Sequence, residues 1–352
     1  MIKAKYNFLI VSIILAIFFG QESLAQINYN QAGWGVDPME YSRVGTAGFQ
    51  FLKLPTNARN AGMGGVLAAA GYGDARSAFT NPASTADVKN TDLLFSTMTW
   101  VADIQYSNFS VVRNLNELGF GLGCVGLNLS YLNYGSMVRT ENRPDDYGNI
   151  LPVTEGLGTF SAYDLAVGVL YSQQITDQLQ IGGNVRFVQE KIDDAKTSTW
   201  SFDIGTLYQT GIGSLRISML GRNFGPDAEY DSYQGRIARS PVQIRMPMMF
   251  VLGAAYDILE MKPNFPHRLS IASEYIKPND GKEKVNLGLE YFFLYNFYLR
   301  GGYRFNYDEE RFTFGLGFEY SIDENLKIKL DYAYLDTGRF NQVNILTAGF
   351  EF

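Results

Sequence analysis

A chain of 352 residues with 46% hydrophobic and 14% aromatic residues, 36 glycines and a formal net charge of −7 could hold two soluble domains or one large barrel. The acidic balance argues against a general nucleic-acid binder. A single cysteine, Cys124, and a single histidine, His267, exclude an internal disulfide and a Cys/His metal cluster. No run of about 20 apolar residues follows the N-terminal segment, which excludes a bundle of membrane helices; a mean hydropathy of −0.10 is what alternating transmembrane strands give.

At the N-terminus, Lys3 and Lys5 precede an apolar run over 8–19, and Ser23-Leu24-Ala25 offers a small-residue cleavage site before Gln26. This pattern predicts a secretory signal peptide over 1–25, with an uncleaved anchor as the alternative. No cysteine follows the site, so a lipoprotein is disfavoured. Residues 26–41 read as a polar lead-in. From Gly45 to Ala83 the chain is dense in small residues, among them Gly62, Gly64, Gly65, Ala68, Ala69, Ala70 and Gly71. Small side chains let backbones approach closely, which suits a hatch folded inside a lumen; the plainer alternative is an N-terminal cap of no special function. Asn81-Pro82 predicts a helix start, Asn as the cap and Pro at the first helical position. The expected organisation is a signal peptide (1–25), a lead-in and hatch (26–90), and a barrel (91–352).

Strand patterns then follow at short intervals: 93–101, 104–113, 119–138, 160–174, 179–192, 199–210, 214–224, 243–259, 268–276, 284–294, 297–305, 311–322, 326–335 and 344–352. These fourteen predict an all-β, transmembrane antiparallel barrel with both ends of the sheet on one side. Connections after even-numbered strands are short, with 260–267 as the exception, and the long ones, 139–159 and 225–242, follow odd-numbered strands. Short periplasmic turns alternating with longer external loops is the outer-membrane pattern.

Charge sets the facing. A Lys or Arg on the lipid side near the midplane costs about 2–4 kcal/mol, and Glu274, Glu290, Arg300, Arg304, Glu319, Lys327, Lys329 and Asp331 all lie opposite the apolar phase of their strands. The same rule places Asp164, Arg186, Asp203, Arg216, Arg222 and Asp257 inward, and Leu289, Tyr291, Leu299, Tyr303, Phe312, Phe314 and Leu316 outward. The inward charges are expected to neutralise one another and to hold the hatch. Trp100, Tyr131 and Tyr171 suit an interfacial girdle. Residues 121–126, Gly-Leu-Gly-Cys-Val-Gly, match a dinucleotide fingerprint, but they lie in a period-two run and not between a strand and a helix. A bulge is the expectation there. His267 has no nucleophile motif to serve, so neither an enzyme nor a cofactor is expected.

Two resemblances add to this. The last strand ends on Phe350 and Phe352 on one face, which resembles the assembly signal of bacterial outer-membrane barrels. Phe51-Leu52-Lys53-Leu54, then Ala58-Arg59-Asn60-Ala61-Gly62-Met63-Gly64-Gly65, then Asp74 and Asn81-Pro82-Ala83 resemble the N-terminal signature of the PorV/PorQ family, related to the FadL-like 14-stranded barrels. Thr80 and Ser84 depart from it, where members often carry an aromatic and a glycine. The resemblance implies a hatch built on Arg59, Gly62, Met63, Gly64, Asp74, Asn81, Pro82 and Ala83. It also implies service in the type IX protein secretion system of a Gram-negative outer membrane, with lipid, other secretion proteins and cargo signal domains as partners. The external loops, with Arg143, Tyr147, Tyr230, Tyr233, Arg236 and Arg239, are then the expected docking surface. The alternative is a FadL-like channel for hydrophobic small molecules, which calls for an apolar stripe in the lumen and a break in the wall. The inward charges argue against such a stripe, and Gly168 is the candidate for a break.

Overall fold

Alternation decides the architecture, and residues 327–335 show how: Lys329, Asp331 and Ala333 are buried while Leu330 and Tyr332 are exposed, because successive side chains point to opposite faces. The computed structural model of the protein describes residues 44–71, 73–116, 121–144, 150–154, 156–230, 243–261, 266–323, 326–340 and 342–352. The expected signal peptide and lead-in lie outside them. The strands are β1 (Thr91–Thr99), β2 (Gln105–Asn114), β3 (Cys124–Val138), β4 (Glu141–Pro144), β5 (Ile150–Val153), β6 (Thr159–Thr176), β7 (Leu179–Ile192) and β8 (Ala195–Gln209). They continue with β9 (Arg216–Phe224), β10 (Met249–Leu259), β11 (Arg268–Pro278), β12 (Lys284–Phe293), β13 (Phe297–Phe305), β14 (Phe312–Ser321), β15 (Lys327–Leu335) and β16 (Val343–Glu351). All but β4 and β5 form one closed antiparallel barrel of fourteen strands, shut by β1 against β16 from Asp92↔Glu351 to Thr99↔Asn344.

The predicted barrel is therefore the one formed, with local differences. The strand expected over 119–138 begins at Cys124, because Gly121 and Gly123 take left-handed φ values of 58° and 68° and belong to the preceding turn. The bulge expected there lies further along, between Asn133 and Ser136 of β3. The strand expected over 243–259 begins at Met249: Ile244 and Arg245 make only isolated bridges, and Pro247 has no N–H for a ladder. The long loop after β3 holds a two-stranded ribbon of four residue pairs, β4 against β5.

Outward side chains form an apolar surface in which Ile204, Val169, Phe314 and Leu346 are each more than half exposed, as hydrocarbon contact requires. Tyr131 and Tyr171 face out as expected, whereas Trp100 turns inward and packs on the core beneath the external mouth.

The lumen is filled by the chain that precedes β1. Helix α1 (Ala58–Gly62) is capped by the Asn57 side chain, which accepts from Asn60 N. Short 3-10 turns flank it at Gln50–Lys53, Ala75–Phe79 and Pro82–Asp87. Toward the external end Phe49, Phe51 and Leu52 pack on Met98, Tyr106, Leu132, Val343 and Ile345. Toward the periplasmic end Ala75, Ala78, Phe79 and Val88 pack on Leu94, Val112, Cys124 and Leu170. Close contact is possible because the wall carries glycines where the hatch touches it. A Cβ at Gly62 would lie 2.9 Å from Gly315 Cα, and one at Gly288 would lie 2.6 Å from Met63 O. At Gly182 it would lie 2.5 Å from Ala83 N, and at Gly302 it would collide with the Gly64 backbone.

Candidate functional site: an ion-locked hatch and the cavity beside it

The buried polar residues of the hatch and of β12–β15 form one alternating chain of charges. Arg59, from α1, donates through Nε to Glu290 Oε2 at 2.8 Å and through Nη2 to Glu290 Oε1 at 3.0 Å. Arg300 donates to the same Glu290 at 2.8 Å and to Asp331 at 2.6 Å. Arg76 then takes Asp331 at 2.7 Å, Glu319 at 3.1 Å and Asp74 at 2.7 Å. Each charge except Glu319, whose second partner is the Tyr298 hydroxyl at 2.9 Å, thus faces opposite charges on two sides, which offsets the large desolvation cost of burying it. Asp74 also caps its 3-10 turn by accepting from Arg76 N. Burial alone would push the Asp74 carboxyl up, but Arg76, Lys329 and Arg59 outweigh it and hold it well below the usual carboxylate range.

Around this chain, Lys329 pairs with Asp92 and with Glu351 at 3.1 Å, and Lys327 reaches Glu351 at 3.4 Å nearer the rim. Arg304 donates to Gly64 O at 3.1 Å and pairs with Glu310. Asn81 accepts from Ala83 N and donates to Ala68 O at 2.9 Å and Thr206 O at 3.1 Å. The helix start expected at Asn81-Pro82 is present as a 3-10 turn.

Beside the hatch, facing β9–β13, lies a cavity of about 430 Å³ bordered at its mouth by Val44, Lys282 and Asp308. Its wall includes Leu220, Val251 and Ile276, which register places on neighbouring strands in one inward row. The expectation that no apolar stripe would interrupt the lumen is thereby corrected: besides the inward apolar residues that the hatch covers at either end, this row, packed in part on Ala68 of the hatch, is apolar over three strands at the cavity. The expected break at Gly168 is corrected as well. β6 pairs without interruption there on both sides, and the missing side chain makes room for Arg186 and Asn128, whose atoms lie 2.5 and 2.6 Å from where a Cβ would be.

The expected docking residues divide. Arg143 is exposed on β4 and is held by Glu141 at 3.0 Å. Tyr230 does not face outward; its hydroxyl turns to Glu190 at 3.4 Å. Tyr147, Tyr233, Arg236 and Arg239 lie outside the described residues. His267 stacks on Tyr291, with Nδ1 2.9 Å from its hydroxyl. Among the described residues no group of three His, Cys, Asp or Glu is placed to hold a metal. Sequence reasoning missed Arg76 and Asp92, which complete the charge chain, and the wall glycines. The available signal was glycine recurring in the inward phase of strands otherwise filled by charge.

No family model and no curated protein matches this chain. Among solved structures it is similar to the toluene transporter TodX of Pseudomonas putida, with a TM-score of 0.53 and 14% identity over 84% of this chain and 97% of that one. It is also similar to the deltaS2 mutant of the TodX monoaromatic hydrocarbon channel, at 0.50 and 12% with the same coverage. At these identities the likeness is one of fold, and with the apolar outer face and the closed ladder it makes the chain an outer-membrane β-barrel with a FadL-like architecture.

Proposed function

We propose that this chain is a FadL-like outer-membrane barrel that receives a small, partly apolar molecule from outside in the cavity between its hatch and β9–β13. The observation that carries this reading is the apolar row Leu220, Val251 and Ile276 in the wall of a cavity of ligand size. Trp100 lines the same cavity and supplies a readout. In lipid nanodiscs, with Trp34 and Trp200 replaced by Phe, titration with toluene should change Trp100 fluorescence saturably, and Val251→Trp should fill the space and abolish the saturable part. A linear response unaffected by Val251→Trp would count against the reading.

A second reading keeps the secretion role. It is supported by the residues shared with the PorV/PorQ signature, Arg59, Gly62, Gly64 and Asn81, which fasten the hatch. The β4–β5 ribbon, with Ile150 and Leu151 at least half exposed, offers an external surface. Co-purification from native membranes separates the two: recovery of secretion proteins or cargo signal domains supports this reading, and a bound small molecule without protein partners supports the first.

A further inference from the structure

The register of β9–β12 places the cavity wall in rows. Leu220, Val251, Ile276 and Lys284 stand opposite one another on four neighbouring strands, and Arg222 lies two residues beyond Leu220, opposite Met249. All of these line the cavity. The result is an apolar trough with a guanidinium at one end and an ammonium at the other, three strand spacings or roughly 14 Å apart along the wall and closer where the side chains reach inward.

These two cations differ from the others around them. Lys53 pairs with Asp280, Arg304 with Glu310, Arg186 with Asp203 and Arg216 with Asp257. Arg222 donates only to the Phe79 carbonyl, at 3.0 Å, and its Nε has no partner. Lys284 sits 4.0 Å from the centre of the Tyr307 ring. Among the described residues neither has a carboxylate within ion-pair distance. Glu274, the acid between them, accepts from Leu67 N and Ala68 N of the hatch through a single oxygen, Oε1, and among the described residues it forms an ion pair with neither cation. A half-buried cation with no carboxylate in direct contact is only partly compensated by more distant charge, and one occupant that carries an anion at each end supplies the missing contact to both.

We propose that the cavity takes a dianionic compound with an apolar middle, of the α,ω-dicarboxylate class, with Arg222 and Lys284 each holding one carboxylate and Leu220, Val251 and Ile276 contacting the chain between. This rests on the reading of the cavity as a ligand site and names the ligand's class. The test is calorimetric titration of the full chain in nanodiscs at low salt with adipate, suberate, sebacate, octanoate and 1,8-octanediol. One of the dicarboxylates should bind at least about tenfold more tightly than octanoate, and the diol more weakly still. Arg222→Met and Lys284→Met should each reduce that dicarboxylate to the level of octanoate. If the diol binds as tightly as the diacids, or if neither substitution changes diacid affinity, the ionic assignment is overturned while the cavity remains a ligand site. If none of the five binds, the dianion assignment is overturned, and the toluene titration alone decides whether the cavity is a ligand site.

Discussion

At the scale of single residues, what matters most is that the buried charges are held in series. Glu290 stands between Arg59 and Arg300, so Glu290→Gln leaves two buried guanidinium groups facing each other across a neutral amide. Loss of one member of a buried pair costs about 3–5 kcal/mol, and the urea midpoint of the purified barrel should fall accordingly. Arg59→Met with Glu290→Met should recover part of that loss, since Arg300 keeps Asp331. Acid titrates the same chain. Because Asp74 lies below its unfolded value near 4, its contribution is fully present above that value and is lost as the pH falls through it toward the folded value. The part of the hatch's protection from protease that Asp74 supplies should therefore be constant from pH 8 to about 5 and decline only in stronger acid, so the difference between the wild type and Asp74→Asn should be level over that range and close on that acid limb. The facing of these charges was legible because strand phase and the cost of charge in lipid leave one answer. Their pairing was not: Arg76 and Asp331 are 255 positions apart in the chain, and nothing local brings them together.

At the scale of elements, the hatch was legible as a run of small residues and a capped Asn-Pro start, but its sockets in the wall were not. Gly301 and Gly302 are neighbours on β13 that look alike in sequence, yet a Cβ at Gly301 meets nothing within 4 Å while one at Gly302 would strike the Gly64 backbone. Gly301→Ala should leave the protein unchanged. Gly302→Val should leave a folded, heat-modifiable barrel whose hatch is opened to protease, because the wall ladder from Asn286↔Arg304 to Glu290↔Arg300 needs no side chain at that position. If both substitutions are silent, backbone contact between hatch and wall is not what seats the hatch. The turn before β3 teaches the converse. Gly121 and Gly123 fit a period-two pattern, but glycine carries no facing information of its own, and their positive φ values end the ladder at Cys124.

At the scale of the whole molecule, the strand count and closure were readable because one period governs every segment of the wall, whereas the cavity was not, since it depends on which strands the hatch leaves uncovered. The same period makes the membrane assignment measurable by depth. Leu346 lies near the middle of β16 with its side chain outward, and Phe350 lies on the same face near the strand's periplasmic end, opposite Leu93 and Ile328. An arginine facing hydrocarbon costs about 2–4 kcal/mol at the midplane and about 0–1 near the interface. Leu346→Arg should accordingly lower folding stability in lipid vesicles by the larger amount and Phe350→Arg by the smaller, with Thr347, buried against the hatch at Ala58 N, as the inward position between them. The gradient is the informative quantity, because a barrel whose outer face met water would show two small and equal effects. A protein partner covering that face would show two large ones.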